Sequence, residues 1–311
     1  MKKLFIITML AAMPLLAQEF KKVGQSGFVF LEIPASARIA ALGEAAVALS
    51  DVGADAAFAN PAALGWIEKS HSASFSYAPW FADTKHYAAA YAFNSPIGVF
   101  GLGAVLFDFG SMPRTEFVSG NRVYDILGEF KADAVSLGLS YSRKLTDQFS
   151  FGVTLKYVRE TIDMYHANNV LFDGGIMYYT GVGSWRIGAS IQHFGTETEY
   201  ITDQFKMPSI LRLGAAAEIL GTHDSDVRVT AMLEALHPTD GQERINVACE
   251  VGLLRTFVLR GGYKFFYDEE SYSFGAGVLP QSSLPAGVDF AFVDYGRLGN
   301  VIRLTVFMEV N

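Results

Sequence analysis

The chain has 311 residues, half of them hydrophobic and 14% aromatic, with a formal net charge of −8. That balance excludes a nucleic-acid surface, which needs clustered Lys and Arg to meet phosphates. Beyond the first residues no segment offers 18 consecutive apolar positions, which excludes a helical membrane span, and a single cysteine, Cys249, excludes an intramolecular disulfide.

Residues 1–17 carry Lys2 and Lys3, an apolar run from Leu4 to Leu16 and a small residue before Gln18. This is the pattern of a secretory signal peptide cleaved after Ala17. Export without a transmembrane helix leaves the periplasm, the outer membrane or the medium as destinations. Residues 18–71 differ in texture and read as an N-terminal plug segment. Ala37 to Leu49 is alanine-rich, with Leu42, Ala45 or Ala46 and Leu49 at helical spacing, which predicts a short helix. Asp51-Val52-Gly53-Ala54-Asp55 breaks it, and Asn60-Pro61-Ala62 turns the chain towards the first strand.

From residue 72 to 311 the pattern changes to alternation of apolar with small or polar residues, the period of β-strands. Ile302, Leu304, Val306, Met308 and Val310 fall on one face and Arg303, Thr305 and Glu309 on the other. About fourteen strands are predicted, at 72–79, 85–93, 97–107, 131–145, 147–160, 169–180, 184–194, 209–220, 225–236, 242–254, 256–267, 270–279, 285–294 and 299–310. A soluble sandwich would need a second sheet over each apolar face, whereas a barrel needs only lipid. The fold class is therefore all-β, an antiparallel transmembrane β-barrel with a short helical plug. With both ends on the periplasmic side, the long connections 108–130 and 195–208 fall outside. Glycines inside the strands, among them Gly138, Gly152, Gly188 and Gly214, leave room for groups in the lumen.

Arg212, Arg228, Arg244 and Arg260 are sixteen residues apart, and so are Glu218, Glu234 and Glu250. A hairpin symmetric about His223 sets Glu218 opposite Arg228 and Arg212 opposite Glu234. The next hairpin sets Glu234 opposite Arg244 and Arg228 opposite Glu250, with Arg260 continuing the row. Such facing pairs stabilise a sheet by roughly 0.2–1 kcal/mol each. They predict a charge ladder lining the lumen, the alternative being coincidence among evenly spaced strands. The 108–130 connection holds Met112, Phe117, Val118, Tyr124, Ile126 and Leu127, more apolar side chains than a solvated loop needs. It reads either as a partner-binding loop or as a loop folded over its own barrel mouth.

Gly24, Phe30-Leu31-Glu32-Ile33, Ala37-Arg38, Ala41-Leu42-Gly43-Glu44-Ala45, Ala48-Leu49, Asp55-Ala56 and Asn60-Pro61-Ala62-Ala63-Leu64 form a series. In it the chain resembles the PorV/PorQ family of outer-membrane proteins, with the FadL-like transporters behind it. The resemblance implies a fourteen-stranded barrel with its N-terminal segment packed inside, the plug motif being Arg38, Leu42, Gly43, Glu44, Asn60 and Pro61. PorV-like membership implies a part in type IX secretion, with secreted cargo or cell-surface attachment proteins as partners. FadL-like membership implies passage of hydrophobic small molecules.

No nucleophile elbow or Walker motif occurs, so no enzyme and no cofactor are expected. Gly98-Val99-Phe100-Gly101-Leu102-Gly103 lies within a strand and lacks a following helix, so it reads as barrel wall. The six histidines show no ligand spacing and read as loop and strand-end residues. Asp224-Ser225-Asp226 and Asp268-Glu269-Glu270 read as solvated turns before calcium sites. Cys249 alternates with the ladder residues and is expected to face lipid.

Overall fold

The computed structural model describes residues 24–118, 123–222, 225–280 and 285–311. The predicted signal peptide, His223 and Asp224 lie outside these. The strands are β1 (His71–Pro79), β2 (Lys85–Ser95), β3 (Gly98–Phe117), β4 (Tyr124–Lys144), β5 (Phe149–Ile162), β6 (Tyr165–Tyr179) and β7 (Arg186–Phe194). They continue as β8 (Ile210–Leu220), β9 (Val227–Pro238), β10 (Arg244–Leu253), β11 (Phe257–Phe265), β12 (Tyr272–Val278), β13 (Ala286–Asp294) and β14 (Asn300–Val310). Each pairs antiparallel with its neighbours, and β1 pairs with β14 to close a fourteen-stranded barrel. Alternation explains the wall: one outward row runs Tyr91, Leu102, Leu139, Leu155, Phe172 across five strands, all exposed to the surroundings of the barrel. Leu304 and Val306 also face outward, while Arg303 and Thr305 are buried inside. The apolar band ends towards one rim at a polar row, Lys85, Asp108, Asp133, Thr161 and His166. That rim also carries the longest connection, 195–209, and is the outer end, since bacterial barrels keep short turns on the periplasmic side.

The 108–130 connection is not a loop. Strands β3 and β4 run past the barrel as a two-stranded ribbon, Ser111 pairing with Lys131 and Phe117 with Tyr124. Bulges after Asp108 and Arg114 interrupt its register. Gly110, at φ 75°, donates its N–H to Asp108 Oδ1 at 2.8 Å and lets the strand pass the first bulge. Glycine, proline and polar residues in this stretch imitate a loop composition, yet a bulged ribbon accepts all of them.

Residues 24–66 thread the lumen from the outer end to the inner end. Ser26 bridges Lys206 in the outer 195–209 connection, and Trp66 lies at the inner mouth beside Tyr179. The predicted helix is shorter than expected. α1 covers Ala37–Ala41 only, because Gly43 (φ 54°) and Glu44 (φ 65°) turn left-handed, and the Glu44 N–H donates back to the Ile39 carbonyl. The single turn α2 (Ala56–Ala59) and a 3₁₀ segment Pro61–Trp66 follow. The plug backbone lies directly on wall glycines: a methyl group at Gly188 would meet the Val47 carbonyl, at Gly152 the Pro61 carbonyl, and at Gly175 the Asn60 side chain. Gly174, one residue away, has only Ile191 Cγ2 at 3.7 Å. Gly175→Ala is therefore expected to cost about 1–3 kcal/mol through overpacking. Gly174→Ala is expected to cost under about 0.5 kcal/mol. Urea unfolding in detergent micelles measures both, and equal costs would remove the close fit as their cause.

Candidate functional site

The lumen holds two charge clusters, each joining the plug to the wall. At the inner one Arg38, on α1, donates from Nε to Glu250 Oε2 and from Nη2 to Glu250 Oε1, both at 2.9 Å, and pairs with Asp51 at 2.9 Å. Arg228 approaches Asp51 at 3.3 Å and Glu250 at 3.2 Å, while Arg260 binds Glu250 at 2.7 Å and Asp289 at 2.5 Å. Bidentate guanidinium contact fixes direction as well as charge. At the outer cluster Glu44 meets Arg212 at 3.2 Å and Lys264 at 2.6 Å, and Lys264 also pairs with Glu270. Glu234 joins this cluster to the plug backbone: Oε1 takes Arg212 at 3.0 Å and Oε2 accepts the Val47 N–H at 2.9 Å. Asn60 adds a neutral anchor, donating from Nδ2 to the Val47 carbonyl at 2.7 Å and the Ile176 carbonyl at 3.1 Å, and accepting the Ala62 N–H at 3.0 Å.

These contacts give the plug motif a physical role. Arg38, Glu44 and Asn60 reach the wall, Gly43 supplies the turn that aims Glu44, Leu42 is fully buried, and Pro61 starts the 3₁₀ segment capped by Asn60. All seven ladder residues point inward; of the five predicted pairs Arg212–Glu234, Arg228–Glu250 and Glu250–Arg260 form, the first two in a shifted register, and the other two do not. Arg212 lies opposite Leu236 and Glu218 opposite Thr230, with a bulge just beyond. Arg228 lies opposite Gly252, and Glu234 opposite Asn246. The pairs Arg212–Glu234 and Arg228–Glu250 therefore form on the diagonal, and Glu250–Arg260 directly. Glu218 binds Arg186 at 2.9 Å instead of Arg228, and Arg244 has Glu32 at 4.0 Å instead of Glu234. Asp51, Arg186, Lys264 and Asp289 were missed; the last three share the inward parity of their strands, which was the signal available.

Three cavities adjoin the plug. The inner one, about 900 Å³, is lined by Arg38, Asp51, Arg228, Glu250, Arg260 and Asp289 and reaches Asn311 at the periplasmic rim. The outer two, about 190 and 50 Å³, share Glu32, Glu44, His193 and Arg212. The plug's apolar cluster contains Leu42, Ala62, Ala63 and Leu64, each under 2% exposed and lining none of these cavities, and Val47, which borders the smallest. His86 and His193 are buried inside near strand ends, and Cys249 sits half-buried on the outward parity. Of the acidic turn at 268–270, Glu269 pairs with Arg297 and Glu270 with Lys264. Among the described residues no group of three or more His, Cys, Asp or Glu is placed to hold a metal ion.

Glu32, on the strap above the outer cavities, has its carboxyl pushed up to about 7 by burial and by Asp240, against the pull of Arg244. A raised acid binds its proton more tightly in the folded state. Its contribution is therefore complete below pH 4.5 and lost as pH rises towards 7. Protection of residues 25–34 against hydrogen exchange, corrected for intrinsic rates, should fall over that interval and become flat in Glu32→Gln. For the ladder, a double-mutant cycle on Arg38 and Glu250 should give a coupling of about 1–3 kcal/mol, whereas Glu234 and Arg244 should be additive within about 0.5 kcal/mol. Denaturant midpoints of the four variants in each cycle measure this, and equal couplings would overturn the observed register.

The sequence profile of the family described as "Type IX secretion system protein PorV" matches residues 16–241. No curated protein matches the chain. Solved structures match its fold. The toluene transporter TbuX of Ralstonia pickettii is 12% identical with a TM-score of 0.62, covering 89% of this chain and 98% of its own. The CymD monoaromatic hydrocarbon channel is 10% identical with a TM-score of 0.64, covering 92% and 99%. A FadL homologue of Pseudomonas aeruginosa is 13% identical with a TM-score of 0.58, covering 89% and 98%. With the profile spanning most of a closed barrel whose exterior is a lipid-facing band, the chain belongs to the PorV family of type IX secretion proteins and is an outer-membrane β-barrel.

Proposed function

We propose that the chain acts in type IX secretion as a carrier or attachment barrel, holding secreted cargo or a cell-surface attachment protein on its outer face. The observation that carries this reading is the ribbon. Its outermost described pair, Phe117 and Tyr124, stands roughly 20–25 Å beyond the polar row at Asp108, taking about 3.3 Å per residue and allowing for tilt. Lipid therefore does not explain its exposed side chains: Phe117 is 78% and Ile126 65% exposed, with Tyr124 and Leu127 also open. Met112 lies lower on the opposite face and is half-buried, so it supports the ribbon more than it offers contact. An apolar patch held clear of the membrane suits a protein partner. The lumen, occupied by a plug with a buried apolar cluster, supports a role for the outer surface over threading of a protein through the pore.

The second reading is passage of hydrophobic small molecules across the outer membrane. It is favoured by Phe30, Leu31, Ile33 and Phe58, which line the smaller outer cavity, and by fold neighbours described as hydrocarbon channels. That cavity is only about 50 Å³, well below the roughly 300 Å³ at which ligand pockets begin.

The discriminating experiment compares the wild-type barrel with a Phe117→Ser, Tyr124→Ser, Ile126→Ser variant, each crosslinked and purified from its native membrane. Exported proteins are expected with the wild type, reduced at least about tenfold in the variant if hot-spot aromatics carry the contact. Recovery of none with either, together with saturable binding of long-chain fatty acids, would favour the second reading.

A further inference from the structure

We propose that the plug is a gate held by two separate ionic latches, one open to each side of the membrane. The inner latch is Arg38 and Asp51 on the plug with Arg228 and Glu250 on the wall; all four line the inner cavity of about 900 Å³. The outer latch is Glu44 on the plug with Arg212 on the wall, and both line the two outer cavities. No described residue lines both the inner cavity and either outer one. Ions and charged groups from the periplasm therefore reach the first latch, and those from the cell exterior reach the second.

The separation is physical as well as topological. Leu42, Ala62 and Leu64 belong to a buried apolar cluster and line none of the three cavities, and among the described residues no ion pair joins one latch to the other. Ion pairs bordering water are screened and can exchange partners with entering charges, whereas those enclosed in a dry interior resist this. Each latch is thus sensitive to its own compartment, and releasing one leaves the other and the buried apolar cluster still favouring the closed lumen, so each release raises opening only in part. The latches also tolerate release, because the wall groups keep other partners. Glu250 retains Arg260 and Arg228 when Arg38 leaves, and Arg212 retains Glu234 when Glu44 leaves. An uncompensated buried charge would otherwise make opening prohibitive.

This gate does not depend on the secretion reading, and its test uses only the purified full-length barrel in planar lipid bilayers. Arg38→Gln and Glu44→Gln are each expected to raise open probability about tenfold and the double variant about a hundredfold, as independent free energies require. Heat-modifiable mobility on gels verifies that each barrel is folded. Sidedness is tested in a Cys249→Ser background, with a membrane-impermeant maleimide as the probe. Asp51→Cys should react only from the inner side and Glu44→Cys only from the outer side. The proposal is overturned if one single variant has the whole effect of the double, if the folded double variant stays closed, or if either cysteine reacts from the wrong side.

Discussion

The structure depends on one constraint: irregular backbone at membrane depth must find its hydrogen bonds inside the protein or in an enclosed aqueous cavity, never in lipid. Eight strands enclose a space that their own side chains fill, and wider barrels do not. Fourteen strands leave a lumen, and residues 24–66 occupy much of it without forming a long helix or sheet of their own. The wall therefore supplies the missing partners. Thr305 accepts the Ala37 N–H at 2.8 Å, Ser72 the Ala54 N–H at 2.9 Å and Ser142 the Gly65 N–H at 3.0 Å. Ser150 donates to the Ala62 carbonyl at 2.8 Å, and Ser273 to the Ala41 carbonyl at 3.0 Å. The small, polar inward face and the alanine-rich plug are two sides of this requirement.

The same constraint explains the charges. Burying Arg38 or Glu44 alone would cost several kcal/mol of lost hydration, so each is buried only against a preset opposite charge. Arg38 meets a carboxylate already held by Arg260, and Glu44 meets a guanidinium already held by Glu234. The wall network is thus complete enough to persist alone and still has capacity for the plug. That arrangement makes plug docking specific in position, since a shift of one turn would take Arg38 and Glu44 away from the wall charges that compensate them. It adds little net stability over an apolar interface of the same shape, because desolvation offsets most of the Coulomb gain.

Much of this was legible because strand parity survives small errors. The hairpin between β8 and β9 centres one residue later than assumed, which moves every partner by two positions. A shift of two keeps each side chain on its face, so the inward set stayed right, while Arg212–Glu234 and Arg228–Glu250 became diagonal pairs and Glu218 and Arg244 took other partners. The ribbon was illegible for a different reason. Gly110, Pro113 and Gly128 with interspersed charges satisfy the composition of a loop. Only the pairing of two distant segments turns them into strands, and propensity reports nothing about pairing. The helix was overestimated because alanine scores for helix wherever it stands. Here Ala45, Ala46 and Ala48 are buried in the lumen, where the backbone at Val47 and Ala48 lies against Gly188 and the Val47 side chain against Gly214, so packing on the wall overrides helix propensity.

Likeness to hydrocarbon channels at 10–12% identity is likeness of scaffold, and the scaffold leaves function to the chemistry placed on it. In this chain the inward chemistry is largely committed. The serines, threonines and glycines of the wall contact plug backbone, and the clustered charges of β8–β13 contact Arg38, Asp51 and Glu44. Side chains engaged in this way have few donors or acceptors left for a travelling solute. The outer rim has the opposite character, because the ribbon is long, exposed and tied to the barrel at its base by Arg114 and Asp163 at 2.5 Å. Selection for recognition therefore has free positions at the rim and few in the lumen, so divergence of function within this scaffold should concentrate above the membrane.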